Sequence, residues 1–129
     1  MFSLHNFKAF LLPSLAIFVL TGSINSEPLQ TEPTFAECPQ SNNVTDNAYY
    51  KSNLKDLLDS LYSKALQNDS FYNSTSANGS SYGLFLCRGD VSNSTCQTCV
   101  NLARNYITIF CPTDTSATVW YEECMLRYS

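Results

Sequence analysis

Cys87-Arg-Gly-Asp-Val-Ser-Asn-Ser-Thr-Cys96-Gln-Thr-Cys99 is the stretch that decides the fold of this chain, because it holds three of the six cysteines at a C-x8-C-x2-C spacing. A cluster this tight is typical of a disulfide scaffold, a zinc site or a thiol–disulfide redox pair. The rest of the sequence has to choose among these three chemistries.

The N-terminus has the layout of a secretory signal peptide. Residues 9–20 are mostly apolar and follow Lys8, and a small-residue segment then leads into an acidic, proline-containing stretch. An apolar run of about a dozen residues is shorter than the ~20 residues that a transmembrane helix needs. We expect residues 1–26 to be the signal peptide, with cleavage near Ser26 or at Ser23.

The remainder, residues 27–129, is predicted to form one domain with a modest core. Removing the signal peptide removes only Lys8 among the charged residues, so six Lys or Arg remain against eleven Asp or Glu and the net charge is −5. A nucleic-acid-binding protein would normally carry a basic stripe, which this acidic sequence lacks. No second apolar run follows residue 27. We therefore expect a secreted protein with no membrane anchor and no nucleic-acid partner.

All six cysteines lie in this predicted domain: Cys38, Cys87, Cys96, Cys99, Cys111 and Cys124. An even number in a small secreted domain favours three disulfides. Cys96 and Cys99 alone would fit a redox pair, but no βαβ pattern precedes them. Because the one histidine, His5, lies in the signal peptide, the remaining metal alternative is a four-cysteine zinc site. We predict three structural disulfides, with no metal and no cofactor.

The absence of histidine from residues 27–129 also restricts catalysis. It excludes Ser-His-Asp and Cys-His arrangements and the commonest general base near neutral pH. Glu122 and Glu123 are adjacent, so on a strand their side chains would point to opposite faces. Asp56 and Asp59, three residues apart, are expected to form a solvated helix face. We therefore predict no catalytic residues and no enzymatic activity.

Two amphipathic helices are predicted from apolar periodicity. The first spans about residues 48–66, and the second begins after a cap at Asp90 or Ser92. The apolar stripe of the first holds Leu54, Leu57, Leu58, Leu61, Tyr62 and Ala65, and that of the second holds Cys96, Cys99, Val100, Ala103, Ile107 and Phe110. Since two cysteines lie one turn apart on the buried face, their bonds are expected to run to other elements.

Short strands are predicted around these helices from β-branched and aromatic residues. They lie near residues 35–38, 71–72, 82–88, 117–122 and 124–128. Strand alternation alone does not decide which of the aromatic residues Trp120, Tyr121 and Tyr128 belong to the core. Two helices and about five strands without βαβ order predict an α+β domain with an antiparallel sheet.

Five Asn-x-Ser/Thr sequons are candidates for N-glycosylation in a secreted protein. They are Asn43, Asn68, Asn73, Asn78 and Asn93. Three of them crowd the polar segment 67–83, where we expect at least one glycan.

Two sequence blocks, together with the cysteine cluster, closely resemble the plant ginkbilobin-homologous domain. They are residues 82–90, Tyr-Gly-Leu-Phe-Leu-Cys-Arg-Gly-Asp, and residues 119–129, Val-Trp-Tyr-Glu-Glu-Cys-Met-Leu-Arg-Tyr-Ser. This stress-antifungal module occurs in cysteine-rich repeat secretory proteins and in the ectodomains of cysteine-rich receptor-like kinases. The resemblance covers residues 31–129, one copy of the module, and implies two helices packed on a five-stranded antiparallel sheet.

The resemblance also implies a disulfide pairing. Six cysteines allow fifteen pairings, among which the residues alone do not choose. The family pattern corresponds to Cys38–Cys111, Cys87–Cys96 and Cys99–Cys124.

A ligand site known in the family is altered in this sequence. The family's mannose site uses an Asn directly after the first cysteine, an Arg six residues before the last cysteine and a Glu five residues after it. These positions hold Pro39, Thr118 and Ser129 here. Proline has no polar side chain and threonine cannot make the forked contacts of a guanidinium. Mannose binding through this site is therefore not expected, and the ligand-binding residues stay unassigned.

The function that the resemblance implies is that of a secreted, non-enzymatic interaction module in plant stress or defence signalling. Its partner would be an extracellular protein or a cell-wall glycan in the apoplast. One alternative is an antifungal lectin-like protein that binds carbohydrate. Another is a truncated fragment of a tandem-domain secretory protein or of a receptor-like kinase ectodomain, because family members generally occur as tandem copies.

Overall fold

The computed structural model describes residues 31–39 and 48–129. The predicted signal peptide, residues 1–26, and the sequon at Asn43 lie outside these ranges. The described residues form two helices and five strands, which in chain order are β1 (Phe35–Glu37), α1 (Ala48–Leu66), β2 (Phe71–Thr75), β3 (Tyr82–Cys87), α2 (Asn93–Phe110), β4 (Ala117–Trp120) and β5 (Cys124–Tyr128).

The strands form one antiparallel sheet in the order β1-β4-β5-β3-β2. Both helices pack on the same face of this sheet. The predicted α+β fold, two helices on a five-stranded antiparallel sheet, is therefore confirmed.

Helix α1 occupies the predicted range and buries its apolar stripe against the sheet. Strand β3 approaches this helix closely at Gly83. A Cβ atom at that position would lie 3.1 Å from Leu61 Cδ1 and 3.2 Å from Leu57 Cδ2. A glycine in a strand commonly marks such a close approach, and here it allows α1 to pack against the sheet without displacing its leucines.

Helix α2 is capped by Ser92 rather than by Asp90. The Ser92 hydroxyl oxygen accepts a hydrogen bond from the backbone N–H of Thr95 at 3.1 Å, which satisfies one of the free donors of the first turn. Asp90 instead forms an ion pair with Arg88, and the hydrogen bond from that guanidinium lowers the pKa of the Asp90 carboxyl.

The predicted buried face of α2 is confirmed except at its last position. Phe110 is half exposed, and its ring stacks on that of Tyr106 at 5.4 Å between centroids. The physical reason is that the helix ends there, so no further turn holds the side chain over the sheet. The buried residues are Cys96, Cys99, Val100, Ala103 and Ile107.

Three disulfides attach α2 to the sheet. In each of them one cysteine lies on α2 or is its C-cap residue, and the other lies after β1, at the end of β3 or at the start of β5. The bonds therefore run from the helix to other elements, and the pairs are those that the family resemblance implies. They are Cys38–Cys111, Cys87–Cys96 and Cys99–Cys124.

Tyr128 is a fully buried residue of β5 whose hydroxyl donates towards the backbone oxygen atoms of Asp114 at 3.2 Å and Cys111 at 3.4 Å. Burial raises the pKa of this phenol, with smaller contributions from Tyr50 and Asp114. Because the pKa is higher in the folded state, the neutral form favours folding. This contribution is fully present below the unfolded pKa of about 10 and is lost as the pH rises above it.

We expect the free energy of unfolding to fall above pH ~10, and Tyr128→Phe to make that fall shallower. A smaller fall should remain in the variant, because burial also raises the pKa of Tyr121. Urea unfolding at a series of pH values measures the slope, with Tyr49→Phe, an exposed tyrosine of α1, as the control. Equal slopes for Tyr128→Phe and the unmodified protein would contradict the prediction.

Candidate functional site

The side of the sheet that faces away from both helices carries a continuous row of apolar side chains. Side chains alternate between the two faces of a strand, so the neighbours of the core residues point outward. The strand register aligns five outward residues as direct cross-strand partners. We call this side the outer sheet face, and we call the five residues the apolar row: Phe35, Trp120, Met125, Leu86 and Phe71.

The apolar row is open to solvent along much of its length. Phe35, Phe71 and Leu86 are 55%, 50% and 48% exposed, and Trp120 and Met125 are half-buried. The Phe35 and Trp120 rings lie against each other with centroids 5.3 Å apart. With strands ~4.8 Å apart, the row is ~19 Å wide. An exposed apolar row that crosses the whole sheet of a small domain is typical of an interaction site.

The aromatic residues near the C-terminus divide between the two faces. Tyr121 and Tyr128 are buried, whereas Trp120 lies on the outer sheet face. The predicted strand 117–122 ends at Trp120, and a turn closed by a hydrogen bond from Tyr121 N to Cys124 O at 2.8 Å follows it. Strand alternation therefore does not apply to Glu122 and Glu123.

On one side of the apolar row lies a small cavity of about 180 Å³. Two of the three positions of the family's mannose site, Pro39 and Thr118, line it, together with the charged residues Glu37 and Arg127. Glu37 and Arg127 are the cross-strand neighbours of Thr118 on either side. The cavity therefore holds one carboxylate and one guanidinium.

The third mannose-site position, Ser129, is not among the residues that line this cavity. Its backbone N–H and C=O instead pair with those of Tyr82, at 2.8 and 2.7 Å. Sequence reasoning missed the contribution of Glu37 and Arg127, because strand register brings them to the cavity from distant parts of the chain.

On the other side of the apolar row, a cavity of about 380 Å³ lies at the turn between β4 and β5. Arg88, Glu122 and Glu123 provide its charged groups. The Arg88 guanidinium donates to the backbone oxygen of Glu122 at 3.2 Å. The Oε2 atom of Glu123 is buried and has no hydrogen-bond partner among the described residues. This side of the row therefore holds two carboxylates and one guanidinium and is net acidic.

A larger groove, of about 600 Å³, lies between α1 and α2. Three cations, Lys51, Lys55 and Arg104, and one carboxylate, Asp59, line it. Asp59 accepts from Lys55 at 2.7 Å and from Arg104 at 2.5 Å, and the Arg104 guanidinium also lies over the Tyr62 ring at 4.4 Å. Asp59 is thus an ion-paired, half-buried residue rather than part of the predicted solvated face. Asp59 thus pairs with two of the three cations, and the groove is net basic.

A metal ion has one candidate group among the described residues, namely Cys38, Cys111 and Asp114. The two sulfur atoms are bonded to each other, so neither is a thiolate able to bind zinc. Asp114 alone cannot hold an ion.

Four of the predicted sequons lie among the described residues, and all four asparagines are exposed. Asn73 lies on the outward side of the edge strand β2, beside Leu84 of β3. The Asn78 side-chain oxygen accepts from the Ser76 and Ser80 hydroxyls and from the Ser80 backbone N–H. Glycosylation of these sites remains a prediction.

Neither helix in the described ranges combines the length and the apolar character that a membrane crossing requires.

Several Arabidopsis thaliana proteins are similar to this chain in sequence. Cysteine-rich repeat secretory protein 1 is 43% identical over 136 residues, which cover 100% of this chain and 37% of that protein. Cysteine-rich receptor-like protein kinase 25 is 36% identical over 121 residues, which cover 90% of this chain and 18% of the kinase. The chain thus spans well under half the length of these relatives.

Two solved structures share the fold. The tandem DUF26 ectodomain of the Arabidopsis thaliana cysteine-rich receptor-like protein PDLP8 matches with a TM-score of 0.71 and 28% identity, over 78% of this chain and 49% of that one. The corresponding ectodomain of PDLP5 matches with a TM-score of 0.68 and 27% identity, over 76% and 50%.

The model of a protein family described as salt stress response/antifungal matches residues 37–129, which include all six cysteines and every described helix and strand except the first two residues of β1. The family resemblance found in the sequence is therefore confirmed. This match and the relatives above show that the chain belongs to the salt stress response/antifungal family.

Proposed function

We propose that this chain is a secreted, non-enzymatic domain that binds an extracellular protein in plant stress or defence signalling. The observation that carries the proposal is the apolar row on the outer sheet face. The named relatives, a secretory protein and a receptor-like kinase, support an extracellular setting in the apoplast.

The shape and composition of the outer sheet face favour a protein as the partner. The smaller cavity beside the apolar row, about 180 Å³, is below the ~300 Å³ at which pockets for drug-sized ligands begin. The larger one, about 380 Å³, is wide open to solvent. The row itself is broad and contains Phe, Trp and Met, residues enriched at protein interfaces. Burying it against another protein removes apolar surface from water, which stabilises the complex.

A second candidate, carbohydrate binding, has its own observation. The cavity at the altered mannose-site positions places the Trp120 side chain beside Glu37 and Arg127. An aromatic face with a carboxylate and a guanidinium offers both stacking and hydrogen bonding to a sugar. In this candidate the chain is an antifungal lectin-like effector whose polar contacts come from residues other than the family's usual three.

One experiment separates these functions. The protein is expressed from the full chain in plant cells, recovered from the apoplast, and cross-linked there to its neighbours before purification. We expect Phe71→Ser/Leu86→Ser to lose a specific cross-linked protein that the control Ile109→Ser retains, since Ile109 is 80% exposed on α2 and lies away from the row.

A glycan array with the same proteins tests the second candidate. Binding to a mannan or glucan that is lost in Arg127→Ala and retained in Phe71→Ser/Leu86→Ser would favour the lectin-like function over the proposed one. A protein that stays inside the cell, or cross-links that are unaffected by the row variant, would contradict the proposed function.

A further inference from the structure

We propose that the outer sheet face is a self-association surface, on which two copies of this chain pack face to face about a two-fold axis parallel to the apolar row. This inference rests on the proposed function, because it names the partner of the same face. It is carried by the apolar row and by the distribution of charge on either side of that row.

The apolar row is suited to a symmetric contact. A two-fold axis along the row places each of its side chains opposite the same residue of the second copy, as an isologous interface requires. Phe35 and Trp120 would then meet their own equivalents at one end, and Leu86 and Phe71 theirs at the other. The contact is apolar along its full length, so the symmetric arrangement leaves no row side chain facing a charge.

The two sides of the row differ in charge, because Glu37 balances Arg127 on one side, whereas Glu122 and Glu123 outnumber Arg88 on the other. Arg127 lies two residues beyond Met125 along β5, and Glu123 lies two residues before it. A two-fold axis along the row exchanges these two sides. It therefore brings Arg127 of one copy towards the half-buried Glu123 of the other, twice per dimer.

The other face-to-face arrangement is electrostatically unfavourable. The central strand of the sheet is β5, so a two-fold axis parallel to the strands would stack β5 on β5. Arg127 would then face Arg127, and like charges directly opposite each other are destabilising. The position of Arg127 and Glu123 thus selects the axis along the row.

Proteins of this fold occur with a second domain in the same chain, which favours a domain of the same fold as the occupant. The two matched ectodomains are tandem, and this chain covers 49% and 50% of them, so each carries the equivalent of a second such domain beside the matched one. A second copy of this chain is a partner of the same size and surface. Since the row is a single line of side chains, we expect a small interface of the class below about 1,200 Å² and dissociation in the micromolar range.

The test is sedimentation velocity from about 2 to about 200 μM, a range that brackets the micromolar dissociation expected of a small interface. The protein is the secreted product of the full chain after enzymatic removal of N-glycans, because a glycan on Asn73 would lie beside the row. We expect a concentration-dependent dimer that Leu86→Lys shifts to monomer and that Ile109→Lys leaves unchanged. Equal thermal unfolding midpoints show that the variants are folded.

A charge exchange tests the axis itself. Arg127→Glu and Glu123→Arg should each weaken the dimer at least tenfold, and the double variant should recover most of the loss. Weakening in both single variants without recovery in the double variant would overturn the proposed arrangement.

Two further results would overturn self-association. They are a monomer at every concentration, and a dimer that Leu86→Lys leaves unchanged. The protein could be monomeric at every concentration while Phe71→Ser/Leu86→Ser still abolishes the apoplastic cross-link. That combination would refute a second copy as the occupant and leave the proposed function standing.

Discussion

Replacing Cys99 and Cys124 with alanine should lower the free energy of unfolding by about 4 kcal/mol, a large share of the 5–15 kcal/mol typical of a small domain. The disulfide spans a sequence separation of 25, for which the chain-entropy model assigns about 3.5 kcal/mol. Both cysteines are also buried, so removing their sulfur atoms leaves a void between α2 and β5. Urea unfolding followed by the fluorescence of the single tryptophan measures the loss.

The matched control is the alanine double variant of Cys87 and Cys96. Both cysteines of this pair are also buried, and one of them, Cys96, also lies on α2. Their sequence separation is only 9. The same model assigns it about 2.6 kcal/mol, about 1 kcal/mol less. A loss equal to or larger than that of the Cys99–Cys124 variant would show that loop length does not control the stabilisation.

Phe85→Ala should destabilise the protein by about 3–5 kcal/mol. Phe85 is fully buried at the centre of β3, and its cross-strand partner Leu126 is also fully buried. Truncation removes a large apolar group from the core and leaves a cavity that the disulfide-tethered helix cannot easily collapse into. The measurement is the midpoint and slope of urea unfolding, compared with the unmodified protein.

Leu86→Ala is the control for this prediction, because Leu86 is the next residue of β3 and lies on the outer sheet face. We expect it to cost less than about 1 kcal/mol, as is usual for a surface position. The pair of variants also tests the orientation of the sheet. If the two losses were equal, or reversed, the apolar row would be part of the core and could not serve as the binding surface.

The helices could be predicted well because their signals are local. The spacing of Leu54, Leu57, Leu58 and Leu61 reports a 3.6-residue period over a single continuous segment, and α1 has the predicted bounds. The exception in α2, Phe110, shows the limit of this reasoning. Periodicity predicts which face of a helix a residue shares, but it does not say where the helix ends, and Phe110 is its last residue.

The candidate site could not be predicted in the same way. The sequence of each strand shows which of its side chains share a face. The side chains that meet on the outer sheet face, however, come from all five strands. Phe35 and Trp120, or Thr118 and Arg127, become neighbours through strand register, and register depends on pairing between segments that are distant along the chain. The altered mannose-site positions were visible in the sequence, but the charged residues that share their cavity were not.

The sequence by itself determined the predicted secretory class, the favoured disulfide chemistry, the two helices and the α+β fold class, because these depend on composition, cysteine number and short-range periodicity. Resemblance added the family and a disulfide pairing that the residues left open. The tertiary structure alone decided that Tyr128 is core while Trp120 is surface, and that five apolar side chains form one row between a charge-balanced side and an acidic side. The reason is that which face of a strand is buried follows from where the helices pack and how the strands align. Both are long-range properties that no single segment of the chain encodes.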